Sequence, residues 1–342
     1  MRTARNAHLG SVKGVKVAAV QLVPELGDVA ENLQRCEALG DEAGRQGAEW
    51  IVLPEFFTTG MAFVDRMADA ALPPDGAATQ LMLALARRHR ATVGGSFVCR
   101  DADGHNRNAF LLVNAGGVQG RHDKDLPTMF ENCFYVGGGD DGVIRSSELN
   151  VGAALCWELM RTQTARRLRG RVDLLVGGSA WWSVPPWPPR ALTRRFEARN
   201  AANAEKAAPS MARLVGAPIV HASHSGAIAS PMPGLPVPYR GHYEGATIIC
   251  DASGRTLARR GAREGAGVVL ADVEPGRAKP SDEIPRRYWL HRRGPIPAAA
   301  WTLQRAHGRR WYRRHTLGRP VADVQHATAA STEPAPRAAV RR

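Results

Sequence analysis

Short apolar runs recur along almost the whole chain, and each is too short to be a buried helix. Val15–Leu22 reads VKVAAVQL, and comparable runs stand at Trp50–Leu53, Thr92–Val98, Ala109–Asn114, Gly152–Leu155, Val172–Val176, Ile219–Ser223, Ala246–Cys250 and Val268–Val273. Runs of about four to eight such residues read as buried strands. Stretches with helical spacing lie between them. Asp28-Val-Ala-Glu31 has the spacing of a capping box and predicts a helix to about Gly47, with Val29, Leu33, Cys36 and Leu39 on one face. Leu81–Arg90, Thr162–Arg169 and Ala191–Leu214 are further helical stretches; the first is apolar at Leu81, Leu83, Leu85 and Ala86 and basic at its end, as the helix dipole favours. Asp101-Ala-Asp103-Gly104 between two runs predicts a hairpin. Arg121–Gly142, Trp181–Pro189 and Ser230–Pro238 read as irregular loops. Strands alternating with helices predict one α/β domain over 15–280.

The formal charge of +14 invites a nucleic-acid reading, but its distribution decides otherwise. Arg286–Arg342 holds 13 arginines against two acids, a net of +11, which leaves +3 for the 285 residues before it. The body is near neutral, and the basicity belongs to a C-terminal extension. That extension divides into an aromatic part, 281–320, with Trp289, Trp301, Trp311 and Tyr312 among its arginines, and an Ala/Thr/Pro tail, 321–342, expected to be disordered. A short basic segment, 1–14, has no apolar core, so no secretory signal is expected. Five widely spaced cysteines without a CxxC pair argue against disulfides or zinc and for the cytoplasm.

Three residues at strand ends or in loops have reactive chemistry. Cys156 follows an apolar run directly, in GAALCWE, where a strand end presents a side chain; a free cysteine there is equally a small buried hydrophobe. Glu55 sits between Pro54 and Phe56 at the end of another run, where partial desolvation would raise its pKa and suit it to base work; a solvated acid is the plainer reading. Lys124 lies in a charged loop, Arg121-His-Asp-Lys124-Asp, where a surface lysine is the default.

Together, Glu55 in LPEFFTTG, Lys124 in HDKDLPT and Cys156 in GAALCWE resemble the Glu-Lys-Cys triad of the nitrilase, or carbon–nitrogen hydrolase, superfamily. The opening VAAVQL and the distal EGATIICDASG fit as well, so the resemblance covers about 15–275. It implies an α-β-β-α sandwich, two mixed sheets flanked by helices, in a dimer or larger homo-oligomer. It further implies a thiolate nucleophile at Cys156, Glu55 as base, and Lys124 with the Trp157 amide stabilising the oxyanion. Glu131 matches the second glutamate often found after the lysine. Trp157, Glu158, Phe130, Trp181 and Trp182 are expected on the substrate side, although core packing explains the aromatics equally well. No cofactor and no metal are expected.

The substrate class stays open at this stage. Most of the superfamily cleaves amides, and a non-peptide amide or carbamoyl bond is the first expectation. Lys124-Asp-Leu-Pro-Thr128 through Glu131 and Cys156-Trp-Glu158 look more like true nitrilases. The Trp181–Pro189 loop and Ser223-His224-Ser225-Gly226, where many members have Asn-Arg-x-Gly, depart from the pattern. A basic binding protein without catalysis is the alternative of another class, and a Cys-His hydrolase using His221, His224 or His242 is a fourth. His221 and His224, three apart on a strand, face opposite sides and suit no shared metal. Gly137–Gly142 lacks the Lys-Ser/Thr of a phosphate loop and reads as a turn. The extension reads first as an arm on a neighbouring subunit, and second as a contact for nucleic acid or an anionic membrane.

Overall fold

The computed structural model describes residues 14–146, 149–291 and 295–324. The N-terminal segment expected over 1–14 and the tail expected over 321–342 therefore lie outside the described residues, apart from 14 and 321–324. In chain order the elements are β1 (Val15–Leu22), α1 (Val29–Arg45), β2 (Trp50–Val52), α2 (Ala77–His89), β3 (Thr92–Arg100), β4 (Asn106–Asn114), β5 (Gly117–Asp123) and β6 (Val143–Arg145). There follow β7 (Asn150–Ala153), α3 (Thr162–Leu168), β8 (Leu174–Ser179), α4 (Arg190–Val215), β9 (Ile219–His224), β10 (Ala227–Met232) and β11 (Leu235–His242). β12 (Gly245–Cys250), β13 (Thr256–Gly261), β14 (Gly267–Val273) and α5 (Pro295–Trp311) complete the chain.

Twelve strands form one branched sheet that folds into two halves. In the first, β14-β1-β2-β3-β4-β5, parallel pairs at the centre give way to antiparallel ones. The second runs β6-β7-β8-β9-β12-β13. They are joined where β1 and β9 end side by side, Gln21 opposite Ser223 and Leu22 opposite His224.

The period of two in each strand sorts side chains between layers. On β1, Val17 and Ala19 pack between the halves with Phe110, Leu112, Val176 and Val220. Ala18, Val20 and Leu22 turn the other way, onto Leu33 and Cys36 of α1 and Leu81 and Leu85 of α2. On the far side, Leu175, Ile219 and Ile248 pack on Ala165 and Leu168 of α3 and Ala208 and Met211 of α4. Helix, sheet, sheet, helix is the layer order, as the sequence resemblance implied.

Local expectations held with particular corrections. Asp28 caps α1 by accepting from the Glu31 amide at 3.1 Å, but the Glu31 carboxylate turns to Arg35 instead of closing the box. Met82, not Leu83, completes the buried face of α2. Ser230–Pro238 is not a loop. It belongs to the β10–β11 ribbon, where Pro231 stands opposite Pro238; a two-stranded ribbon is all edge, and prolines are tolerated there. The extension lies along its own chain. α5 approaches the turn Met129–Cys133 so closely that a Cβ on Gly308 would be 2.7 Å from the Asn132 Cβ. The Asn106 amide donates to the Tyr312 hydroxyl at 3.0 Å, Thr316 donates to the Cys133 carbonyl at 2.7 Å, and the Ala322 amide donates to the Ala71 carbonyl at 2.8 Å. Among the described residues, no helix is long and apolar enough to cross a membrane.

β8 is thin where it must be. A Cβ on Gly177 would lie 1.9 Å from the Ala154 carbonyl oxygen, and one on Gly178 would lie 2.5 Å from the Glu55 amide. These glycines let the segments bearing Cys156 and Glu55 close on either side of the strand. Gly178→Ala is expected to destabilise the protein by about 1–3 kcal/mol through overpacking against backbone. Gly139→Ala, with nothing within 4 Å, should stay within about 0.5 kcal/mol of the parent. Urea unfolding midpoints of the two variants check this.

Candidate active site

Glu55 is placed by the descent of the chain from β2. The Leu53 amide donates to the Gly94 carbonyl at 2.7 Å and the Phe57 amide to the Ser96 carbonyl at 3.0 Å, so the segment stays stitched to β3 after the strand ends. His224 Nε2 bonds the Glu55 carbonyl at 2.5 Å. Phe56 takes a left-handed φ of 53°, which turns the chain and leaves Glu55 facing inward. Its buried carboxylate has three donors. Asn108 Nδ2 and Lys124 Nζ bond Oε1, each at 2.9 Å, and the Ala180 amide bonds Oε2 at 2.9 Å. Burial pushes its pKa up to about 7, although Lys124 opposes the shift; Glu131 adds to it.

Lys124 follows β5 directly and is fully buried. Its ammonium bridges Glu55 Oε1 at 2.9 Å and Glu131 Oε2 at 2.8 Å, and stands 5.9 Å from the centre of the Phe56 ring. Burial alone would lower its pKa, but Glu131 and Glu55 outweigh it and hold the lysine charged. The glycine run expected to be a turn supports this lysine: the Gly138 amide donates to the Lys124 carbonyl at 2.9 Å, and a Cβ on Gly137 would meet the Asp125 carbonyl oxygen at 2.0 Å. Glu131 is the third residue of the turn Met129–Cys133 and also accepts from the Thr128 amide at 2.9 Å and from the Tyr135 hydroxyl.

Cys156 begins a second such turn, Cys156–Met160, just beyond β7. It is 2% exposed and has a φ of 49°, a sharp elbow between strand and turn. The first amides of a helical turn have no partner within it, which frees the Trp157 N–H to face a ligand. Burial raises the thiol pKa well above its ordinary value, the Glu55 charge and a hydrogen bond to Glu55 raise it further, and Lys124 opposes them. The thiol therefore keeps its proton, with the Glu55 carboxylate near enough to raise its pKa. A protonated thiol, an acceptor carboxylate and a fixed cation are the parts of a base-assisted nucleophile.

The other residues singled out from sequence divide between two places. Phe130 stacks on Trp182 with ring centres 4.0 Å apart, and Trp182 also leans on Tyr239 of the ribbon. Trp181 belongs to the same apolar cluster as Cys156. The Trp157 ring stacks on Trp301 of the extension at 5.4 Å and meets Trp289 edge-on at 5.8 Å. Glu158 does not face the thiol: its two oxygens accept from Leu155, His122, Asp125 and Arg167. Two contributors went unnoticed in the sequence, Asn108 and the Ala180 amide, and His224, considered there only as a base, instead holds the Glu55 carbonyl. Asn108 had a signal, since it is polar yet shares strand parity with Phe110 and Leu112, which pack between the sheets.

The histidines considered as alternative bases are engaged elsewhere. His221 bonds Ser179 at 2.8 Å, His224 holds the Glu55 carbonyl, and burial lowers both to about 4. His242 lies 3.7 Å from Glu244. Among the described residues, no group of three or more His, Cys, Asp or Glu is arranged to hold a metal. Surface hollows such as the one lined by Pro74, Leu83, Leu111 and Arg121 do not reach Cys156.

Comparison with known proteins agrees with this geometry. The family model described as carbon–nitrogen hydrolase matches residues 16–281. A nitrilase of Pyrococcus abyssi is 30% identical over 186 residues, covering 53% of this chain and 70% of that protein. An omega-amidase, YafV, of Yersinia enterocolitica is 26% identical over 257 residues, covering 75% of this chain and 83% of its own. Several other relatives, two of them named nitrilases, are matched over only about half of their length. In fold, an amidase of Nesterenkonia sp. superposes with a TM-score of 0.60 at 17% identity, over 82% of this chain and 96% of that one. With the family model spanning the whole sandwich and both catalytic-type turns, the chain belongs to the carbon–nitrogen hydrolase family.

Proposed function

We propose that the protein hydrolyses a non-peptide carbon–nitrogen bond of a small molecule, of amide or carbamoyl type, through a thioester on Cys156. The observation that supports this reading is the buried pairing of Glu55 with Lys124, Glu55 being held by three donors, beside a buried Cys156 whose thiol pKa is raised by burial and then by the Glu55 charge. Glu55 takes the proton as sulfur attacks the carbonyl carbon. The two described bonds of Lys124 use two of its three hydrogens, and the third, with the Trp157 amide, receives the oxyanion. Collapse of the tetrahedral adduct breaks the C–N bond, and ammonia or an amine leaves with the proton from Glu55. Water then gives a proton to Glu55 and attacks the thioester. The acid departs, and the proton returns to sulfur. Glu131 keeps Lys124 charged and aimed.

A nitrilase reading, nitrile to acid and ammonia, is favoured by one observation: the Pyrococcus abyssi relative and others carry that name. The same groups serve it, with attack on a nitrile carbon. We place the enzyme in the cytoplasm because its five cysteines are all free and buried, and expect a homo-oligomer. Leu303, 68% exposed on α5, is the natural contact of the extension with another subunit.

Ammonia release from a panel of amides, carbamoyl compounds and nitriles separates the two readings; release from nitriles alone sinks the first. Cys156→Ala should bring release down to background with every substrate. Glu55→Gln should reduce kcat by about 10²–10⁴-fold, the usual contribution of a positioned base. Full activity in either variant rejects the mechanism.

The pH profile has a definite sign. Glu55 works unprotonated and its pKa is raised to about 7, so kcat/KM should climb as pH rises through about 7, a value belonging to the Glu55–Lys124–Glu131 group as a whole. A profile flat from pH 5 to 8 would contradict the assignment. Light scattering on the full chain and on Leu303→Asp tests assembly: a smaller particle in the variant is expected, and an unchanged one removes the extension from the interface.

A further inference from the structure

Behind the Cys156 elbow lies a second buried charged group that the proposed reaction does not use. Glu158 is fully buried and ties together both flanks of the site. Its Oε2 accepts from the amide of Leu155, the residue before Cys156, at 2.8 Å, and from His122 Nε2 at 2.9 Å. Its Oε1 accepts from the amide of Asp125, the residue after Lys124, at 3.2 Å, and from Arg167 at 2.8 Å. His122, also buried, stands two residues before Lys124. Its Nδ1 meets Asp140 Oδ1 at 2.5 Å, while Asp140 Oδ2 accepts from the Asp123 amide at 2.9 Å.

The histidine ring thus lies between two carboxylates, one at each nitrogen. A carboxylate only accepts, so both nitrogens must donate and the ring must be the cation. The charges around it then balance: His122, Arg161 and Arg167 against Glu158, Asp125 and Asp140. Glu158 and Asp140 face the ring itself, from the Cys156 turn and from the loop after β5; Arg161 and Arg167 of α3 and its approach reach Glu158 and Asp125 behind them, and Asp123, next on the strand, turns to the other face and pairs with Arg121. A neutral ring would turn a lone pair toward a carboxylate oxygen and leave one negative charge uncompensated in the interior.

We infer that the His122–Glu158 pair is a positioning clamp, which sets the Cys156 elbow against the Lys124 backbone and releases it when the imidazolium loses its proton. The inference rests on the proposed function only for its kinetic readout. The ionisation fits: burial opposes the charge, but Glu158 and Asp140 raise the His122 pKa from 6.5 to about 9. Because the folded value is the raised one, the clamp is whole below about 6.5 and is lost as pH rises through about 9.

The test reads Cys156 directly, without any substrate. Iodoacetamide forms a carbon–sulfur bond and expels iodide, and the mass of the Cys156 peptide follows the reaction. An ordinary thiol reacts faster as pH rises; here the rate should fall above about pH 9. His122→Gln should abolish that fall and slow Cys156 at pH 8 by about 10- to 100-fold, the range expected for a displaced reactive group. With a hydrolysed substrate in hand, its kcat should fall in the same proportion, with KM nearly constant. A wild-type rate that climbs steadily to pH 10, or a folded His122→Gln that reacts like wild type, overturns the clamp. Should that variant not fold, Asp140→Asn removes one of the two carboxylates and should move the fall to lower pH; an unmoved fall overturns the clamp equally. Failure to hydrolyse any amide or nitrile would reject the proposed function while leaving this measurement intact.

Discussion

A lysine ammonium without water is the constraint from which the rest of this molecule follows. An isolated charge buried this deeply costs several kcal/mol, and Lys124 is tolerable only because Glu55 and Glu131 lie within 2.9 Å of it. Those partners come from distant parts of the chain, so the end of β2, the end of β5 and the following turn must converge. Two carboxylates against one cation leave a net negative charge, and that excess, with burial, is what raises Glu55 toward neutrality. The base strength of the site is thus a by-product of how the lysine is kept charged. The thiol, buried beside the Glu55 charge, stays protonated.

Much of this was legible in the residue pattern, for a physical reason. Strands with both faces covered leave apolar runs that cannot be mistaken for loops, and the reactive residues sit one to three positions beyond such runs. Glu55 follows β2 and Cys156 follows β7 in this manner. The ribbon β10–β11 was hidden because its prolines signal a loop, and only the absence of a covering neighbour makes them harmless. Asn108 was hidden among hydrophobic residues of β4, where only parity exposed it. Backbone donors such as the Ala180 amide carry no signature in a sequence at all.

The extension contributes more than charge. Trp289 and Trp301 lie beyond the segment matched by the family model, yet both rings pack on Trp157, the residue after Cys156. Arg309 and Arg310 of α5 are exposed while Trp301 and Trp311 pack on Trp157 and Phe63 of the body, so the basic, aromatic composition is that of an amphipathic surface helix. Its inner face closes over both functional turns: Gly308 fits against Asn132 in one, and Trp301 against Trp157 in the other. Contacts within one chain therefore account for the tryptophans of a composition that suggested an arm reaching outward.

Glu131 and Glu158 show how little of a carboxylate's role is local. Each is the third residue of a short helical turn, and each folds back to the amide just before that turn, Thr128 for one and Leu155 for the other. The local device is the same. What differs is the far partner: Glu131 reaches a lysine within the site, and Glu158 reaches His122 and Arg167 behind it. His122, Arg167 and Arg161 outweigh burial and drive Glu158 well below the ordinary carboxylate range, whereas burial takes Glu55, which shares its cation with Glu131, up to about 7. On the proposed reading, three acids on one framework are divided into a base, a lysine anchor and a backbone clamp by their surroundings. The division is set by how the cations are distributed: Glu55 and Glu131 share Lys124, whereas Glu158 meets both His122 and Arg167. The fold assigns it, and the residue type does not.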